Sequence, residues 1–255
     1  MLNRKYKLSV IIAGAGNSQR LGSQELKSKQ FLLIEGKPLL YYSIEKFLQL
    51  KNLFEIVVVT NDIDSTNELL SENKNLKEVK DVKIKTVLGG KLRQDSVYNG
   101  FNALDNLTDL VLIHDVGRPL FKLSDVEKCI EKAIETKAAI LAVPVVDTIK
   151  KAISDKDELL VEKTIDREEL YLIQTPQVFS RELLADIYNK IYKNNSSNGQ
   201  FVVTDEASMI ELLGKPVNLV IGDKKNIKVT YPEDLEIAIA ILKEEKKLKS
   251  EKVSV

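Results

Sequence analysis

An α/β fold on a largely parallel sheet is predicted by three features of this chain. Short apolar runs rich in β-branched residues alternate with helix-period segments, and small or charged residues follow those runs directly. The length of 255 residues suits one large domain or two small ones, and no linker between two cores is evident. In such sheets ligands sit beyond the carboxyl ends of the strands, so functional residues are sought there.

Leu8–Ala13 is an apolar run followed at once by Gly14 and Gly16, which reads as a buried strand feeding a glycine-containing loop. Pro38 opens a helical pattern with Leu40, Ile44, Phe47 and Leu48 on or near one face. Residues 54–60 predict a second buried strand ending in the turn-prone Asn61-Asp62, and 82–88 a third ending in Gly89-Gly90. Asp95 or Ser96 is placed to cap a helix through Leu104. A fourth strand, 110–113, ends in His114-Asp115. Ser124 is placed to cap a helix to about Thr136, with Ile130 and Ile134 at i and i+4. Residues 138–143 predict a fifth strand closed by Pro144. Helical pattern returns over 182–192, followed by a loop rich in Asn and Ser at 194–199, a strand at 217–221 and a helix at 232–242. The remainder, 243–255, opens with a nearly all-charged segment that reads as a helix extension or as a solvated tail.

One stretch breaks the alternation. About 146–173 holds no clean helix, and two short strands around a polar turn fit it, so a projecting β-arm inserted in the domain is expected.

Composition narrows the chemistry. The 38 Lys and Arg residues balance 38 Asp and Glu, which argues against bulk nucleic-acid binding. One Cys excludes an internal disulfide, and one Cys with one His cannot supply the roughly four ligands of a structural zinc site. Any metal must be held by carboxylates or substrate oxygens, the pattern of Mg²⁺. No apolar run approaches the ~20 residues of a membrane span. The first apolar run ends in Gly16-Asn17-Ser18-Gln19-Arg20 rather than a cleavage site, so neither a signal peptide nor a membrane partner is expected, and the location predicted is cytoplasmic.

Candidate chemistry clusters at the strand ends. Gly14 to Gly22 is small-residue-rich and contains Arg20, with Lys27 and Lys29 close behind; it matches neither the dinucleotide fingerprint nor a Walker loop. It reads as a phosphate loop or as a tight turn with solvated charges. Gly89-Gly90 with Arg93 and Ser96 is a second such loop, and His114-Asp115 with Arg118 a third. Asp115, at a strand terminus, can hold a Mg²⁺ bridging phosphates or bond a sugar hydroxyl, or simply cap a turn. His114 reads as a core histidine in preference to a catalyst.

Taken in order, these motifs carry a resemblance. They comprise Ala15-Gly16-Asn17-Ser18-Gln19-Arg20, Lys29-Gln30-Phe31, Gly89-Gly90 with Arg93-Gln94 and Ser96-Val97, His114-Asp115 with Arg118-Pro119, and Asp147-Thr148-Ile149-Lys150. Asp166-Arg167, Gln174-Thr175-Pro176-Gln177, Thr204-Asp205-Glu206-Ala207-Ser208 and Asn226-Ile227-Lys228 follow. Over about 8–242 the chain resembles the 2-C-methyl-D-erythritol 4-phosphate cytidylyltransferase family of the non-mevalonate isoprenoid pathway.

The resemblance implies a single Rossmann-like nucleotidyltransferase domain, a homodimer formed through the β-arm, and a Mg²⁺-dependent reaction of CTP with methylerythritol phosphate that releases pyrophosphate. It implies that Gly14, Ala15, Gly16 and Ser18 cradle the triphosphate, and that Gly90 and Ser96 contact the cytosine. Arg20, Lys29 and Lys228 would be the catalytic cations, and Asp115 would approach the metal or ribose. Thr148, Arg167 and Thr175 would bind the polyol phosphate, with the arginine coming from the partner's arm. The sequence departs from the family at Ser18, where glycine is common, at Ser28, where proline is common, and at Val116-Gly117, where alanines are common. The Arg20–Lys29 spacing is about two residues longer, and Lys29 is favoured over Lys27 because Gln30-Phe31 follows it. The alternatives are a ribitol-phosphate or other polyol-phosphate cytidylyltransferase, and a non-catalytic nucleotide-binding scaffold.

Overall fold

The computed structural model describes residues 6–16, 28–77, 81–155, 158–193 and 203–253. The chain opens with β1 (Leu8–Ala13), and a 3-10 turn at Lys29–Phe31 leads to the small hairpin β2 (Leu33–Ile34) and β3 (Lys37–Pro38). Next come α1 (Leu39–Phe47), β4 (Leu53–Thr60), α2 (Ile63–Glu72), the single turn α3 (Lys74–Lys77), β5 (Lys83–Leu88) and α4 (Arg93–Asn102). β6 (Leu110–Asp115), α5 (Leu123–Thr136) and β7 (Ala138–Pro144) precede an exposed hairpin of β8 (Ile149–Asp155) and β9 (Glu158–Ile165). The chain returns through β10 (Tyr171–Ser180), α6 (Arg181–Tyr188), a π turn (Asn189–Lys193), α7 (Glu206–Leu212), β11 (Asn218–Ile221) and α8 (Pro232–Val253).

Seven strands form the main sheet in the order β11-β7-β10-β6-β1-β4-β5. β1 runs parallel to both β4 and β6, β4 to β5, and β7 to β11, while β10 lies antiparallel between β6 and β7. β1, β4, β6 and β7 are apolar along nearly their whole length because helices cover both faces of the sheet. Their side chains alternate between two cores. Leu8, Val10 and Ile12 join the core packed under α1, α5 and α8, whereas Ile11, Val57 and Ile113 join the one under α4, α6 and α7.

Several boundaries differ from the sequence expectations for physical reasons. α4 begins at Arg93 with Leu92 at its cap, and Asp95 sits in the first turn, its carboxylate accepting the Leu92 N–H at 3.2 Å. α5 begins at Leu123, so Ser124 lies inside the first turn. Its buried stripe is Val126, Cys129, Ile130 and Ala133, which leaves Ile134 on the outer side. β5 is an edge strand, half exposed and carrying Lys83 and Lys85, where a buried strand was expected. Asp62, read as a turn residue, caps α2 by accepting the Ser65 N–H at 3.0 Å.

β10 is the largest surprise. The arm was expected to run to about 173, but the core strand already starts at Tyr171. Pro176 and the polar residues around it hide this strand, and its pairing with β7 shifts register between Ile173 and Gln177 where Pro176 cannot donate to the ladder. The charged segment after Leu242 continues α8, tied back by Lys225 to Glu244 and by Lys246 to Glu35. The expected loop at 194–199 lies outside the described residues.

Candidate active site

The site is built at the carboxyl ends of β1, β4 and β6. Gly14 leaves β1 with its N–H donating to the Val59 carbonyl at 2.8 Å. A Cβ here would stand 2.5 Å from Gln30 Oε1 and 3.0 Å from Val59 O, so only glycine fits. Ser28 Oγ donates to the Gly14 carbonyl at 2.7 Å, and Gln30 Nε2 donates to Thr60 and Thr66 hydroxyls at 2.7 and 2.8 Å. These buried bonds fasten the segment carrying Lys29 beneath the strand ends. Lys29 Nζ in turn donates to the Val229 carbonyl at 2.7 Å.

The second loop follows β5. The Gly90 N–H donates to Ser96 Oγ at 3.0 Å, and that hydroxyl donates to the Leu92 carbonyl at 3.0 Å. A Cβ on Gly90 would meet Asp95 Cβ at 2.4 Å.

Asp115 ends β6 and is the electrostatic centre. Its carboxylate accepts from Arg93 Nε at 3.2 Å and from Lys228 Nζ at 2.6 Å. Arg93 also donates to Glu206 Oε2 at 3.0 Å. Burial opposes charge on Asp115, but Arg93 and Lys228 outweigh it and hold the carboxyl far below the ordinary carboxylate range. Burial likewise opposes charge on Arg93, and Glu206 with Asp115 outweighs it and raises its pKa. For Glu206 burial wins over Arg93, and the carboxyl is pushed up. Lys228 is positioned by the turn before it, since Arg118 Nη1 donates to Asn226 O at 2.8 Å and Asn226 Nδ2 donates to Thr175 O at 3.0 Å.

Two clefts meet at this network. The first, about 510 Å³, is lined by the Gly14–Gly16 loop, Lys29, Gly90 and Ser96. The second, about 670 Å³, is lined by Arg118, Thr175, Gln177, Thr204 and Ser208. Arg93, Asp115 and Lys228 line both. The structure therefore brings Gly14, Ala15, Gly16, Lys29, Gly90, Ser96, Asp115 and Lys228 together in one cleft. Thr175 lines the other, its hydroxyl accepting the Asp115 N–H at 3.0 Å while it faces His114 Nδ1 at 3.1 Å. Thr148 and Arg167 are exposed on and beside the arm and line neither cleft, with Arg167 donating to the Val146 carbonyl. Ser18 and Arg20 lie outside the described residues. Glu206 received no role from the sequence. As the residue after the capping Asp205 it reads as an ordinary first-turn acid, and only its burial reveals the contact with Arg93.

His114 is a core residue. Its two ring nitrogens each face a hydroxyl, Nδ1 that of Thr175 at 3.1 Å and Nε2 that of Ser43 at 3.3 Å. Phe47 and Phe121 pack against the ring, and burial holds its pKa down to about 3. The folded protein thus keeps this imidazole neutral while the unfolded chain takes up a proton near pH 6.5. Its contribution to stability is complete above that pH and is lost as pH falls toward about 3. The loss reaches about 3 kcal/mol by pH 4. Thermal unfolding from pH 7 to 4 checks this: His114→Gln is expected to flatten the acid-side slope, and an unchanged slope contradicts it.

Among the described residues no group of three or more His, Cys, Asp or Glu side chains could hold a metal. Among the described residues lining the first cleft, Asp115 is the acidic one. Its two oxygens each accept one hydrogen bond, which leaves lone pairs for a cation held mainly by phosphate oxygens and water. That donor set fits Mg²⁺ and does not fit a tightly caged metal.

Glycine loops and converging cations at the carboxyl end of a mostly parallel sheet define an α/β protein built to hold phosphorylated ligands. The family description "2-C-methyl-D-erythritol 4-phosphate cytidylyltransferase" matches residues 8–244. A protein of that name from Caldanaerobacter subterraneus subsp. tengcongensis is 40% identical over 236 residues, covering 92% of this chain and 99% of the relative. The crystal structure of 4-diphosphocytidyl-2C-methyl-D-erythritol synthase from Anaerococcus prevotii superposes with a TM-score of 0.75 at 31% identity, covering 94% of this chain and 97% of that one. The Francisella tularensis 2-C-methyl-D-erythritol 4-phosphate cytidylyltransferase superposes at 0.71 with 31% identity, covering 91% of this chain and 98% of that one. This chain belongs to the 2-C-methyl-D-erythritol 4-phosphate cytidylyltransferase family.

Proposed function

We propose that this protein transfers CMP from CTP to 2-C-methyl-D-erythritol 4-phosphate, forming 4-diphosphocytidyl-2-C-methyl-D-erythritol and pyrophosphate. The observation that carries the reading is the meeting of two clefts at Arg93, Asp115 and Lys228 in a chain of this family. CTP occupies the first cleft, its triphosphate against the Gly14–Gly16 loop and its base against Gly90 and Ser96. The polyol phosphate occupies the second, and its phosphate oxygen attacks the α-phosphorus as the bond to pyrophosphate breaks. The attacking phosphate is already an anion at neutral pH, so no general base is needed. Lys29 and Lys228 neutralise the charge gathered on the reacting phosphates, with Arg20 assigned the same task. Asp115 holds Mg²⁺, which when bound supplies further neutralisation of the phosphate charge.

The hairpin β8–β9 exposes Ile153, Leu159, Leu160 and Val161. We assign this apolar arm to homodimer formation, with Thr148 and Arg167 serving the polyol phosphate in the partner's site. No described helix is long and apolar enough to cross a membrane. We place the reaction in the cytoplasm, where a CTP-consuming enzyme meets its nucleotide.

Arg167→Ala is expected to raise KM for the polyol phosphate at least ~10-fold, as loss of a charge-assisted phosphate contact does. KM for CTP should barely move, and thermal stability should be unaffected because the side chain is exposed. A rise in the CTP constant instead contradicts the arm's assignment. Acceptor identity is tested by comparing kcat/KM for methylerythritol phosphate and ribitol 5-phosphate at saturating CTP. Preference for ribitol 5-phosphate overturns the acceptor, and CTP binding without turnover on either favours a scaffold.

A further inference from the structure

The first turn of α4 is gripped at three successive residues by the segment that follows α6. Arg93 Nη1 donates to Glu206 Oε2 at 3.0 Å, the Val203 N–H donates to Gln94 Oε1 at 2.9 Å, and Tyr192 Oη donates to Asp95 Oδ1 at 3.0 Å. Each contact bears on the first cleft. Arg93 holds Asp115, Gln94 lies between the other two, and Asp95 packs against Gly90 while accepting the Leu92 N–H. The gripping segment also walls the second cleft with Thr204, Asp205 and Ser208. Asp205 caps α7 by accepting the Ser208 N–H at 3.0 Å, which places Glu206 and the cleft-lining residues in one capped turn.

Glu206 is the costly member of this clasp. It is fully buried, Arg93 binds one of its oxygens, and Oε1 has no hydrogen-bond partner among the described residues. An apolar residue would serve α7 better if packing alone were at stake. A buried carboxylate on the helix that walls the second cleft, bound to the arginine that fixes Asp115, is a mechanical and electrostatic link between that helix and the residues the two clefts share.

We propose that Glu206 is a positioning residue that, through Arg93, couples the helix walling the acceptor cleft to the Asp115 carboxylate of the nucleotide cleft. The proposal rests on the functional reading above for the names of the two ligands. Its physical content is narrower. CTP in the first cleft draws on Asp115 and Lys228, Arg93 follows Asp115, and α7 is held in the arrangement that receives the acceptor.

Hydrogen exchange on the whole protein with and without CTP and Mg²⁺ tests the link without any acceptor. Nucleotide is expected to slow amide exchange in α7 at least ~3-fold in the wild type, and this protection is expected to vanish in Glu206→Gln. Gln keeps the shape and an acceptor for Arg93, so the variant is expected to fold and to bind CTP within ~3-fold of wild type, with kcat lowered ~10-fold. The proposal is overturned if CTP leaves α7 exchange unchanged in the wild type, if Glu206→Gln is protected equally, or if its kcat matches wild type. The functional reading fails separately, by absent turnover in wild type, and the exchange result stands apart from it.

Discussion

Lys29→Ala is expected to lower kcat by ~10²-fold or more, with a smaller rise in KM for CTP. The ammonium is aimed by structure on both sides of it. Ser28 and Gln30 are buried and bonded to Gly14, Thr60 and Thr66, and Nζ donates to the Val229 carbonyl at the edge of the first cleft. A cation fixed in this way needs no reorganisation when charge builds on the reacting phosphates, which is why its removal falls mainly on kcat. Lys29→Arg should rescue poorly, because a planar guanidinium cannot take the place of a compact ammonium at the same carbonyl. The check is steady-state kinetics with CTP and methylerythritol phosphate, together with a thermal midpoint near the wild-type value. An unchanged kcat moves the role to Lys27.

Asp115→Asn is expected to cost both rate and stability. The substitution keeps the shape of the side chain and removes the charge that Arg93 and Lys228 share. An amide cannot accept from both cations as a carboxylate does, so one is left without its partner. Breaking a buried pair costs about 3 kcal/mol at the lower end of its range, and the lower end applies because Lys228 is partly exposed. Loss of the carboxylate proposed to hold Mg²⁺ and to steady Lys228 is expected to lower kcat by ~10²-fold. Chemical denaturation and kinetics read the two effects separately. Since Arg93 and Lys228 hold the Asp115 carboxyl far below the ordinary range, its stabilising contribution is present above about pH 4 and is lost only in stronger acid. Between pH 5 and 8 the stability difference between wild type and Asp115→Asn should stay constant. A difference that shrinks across that range contradicts the charge network.

The parts of the fold that were legible are those whose reasons are local. β1, β4, β6 and β7 are covered on both faces, so they show as nearly continuous apolar runs. Gly14 and Gly90 mark close approaches to residues nearby in the chain or in the next strand, and glycine is the residue such approaches demand. β10 was obscured because its buried stretch opens on the polar Gln174-Thr175-Pro176-Gln177 before reaching Val178 and Phe179. Gln174 bonds the Asp223 carbonyl and Gln177 bonds Asp205, partners that only the folded chain supplies. The arm was legible as a break in alternation, although its far boundary was not. Glu206 is the clearest omission: its partner Arg93 is 113 residues away, and no spacing in the sequence points from one to the other. Thr175 shows the converse. It lies in the expected cleft, yet its hydroxyl is bonded to Asp115 and faces His114, so its importance extends to holding β6 and β10 in register beside the network.

The account rests on the transfer itself, a nucleotide in one cleft giving its α-phosphorus to a phosphate in the other. CTP labelled at the α-phosphorus, incubated with wild-type protein, Mg²⁺ and methylerythritol phosphate, reads that transfer directly. The expected result is movement of the label onto the polyol phosphate, with one pyrophosphate released for each acceptor consumed and none released without acceptor. Pyrophosphate release that proceeds equally without acceptor, or label that never leaves CTP, would contradict it.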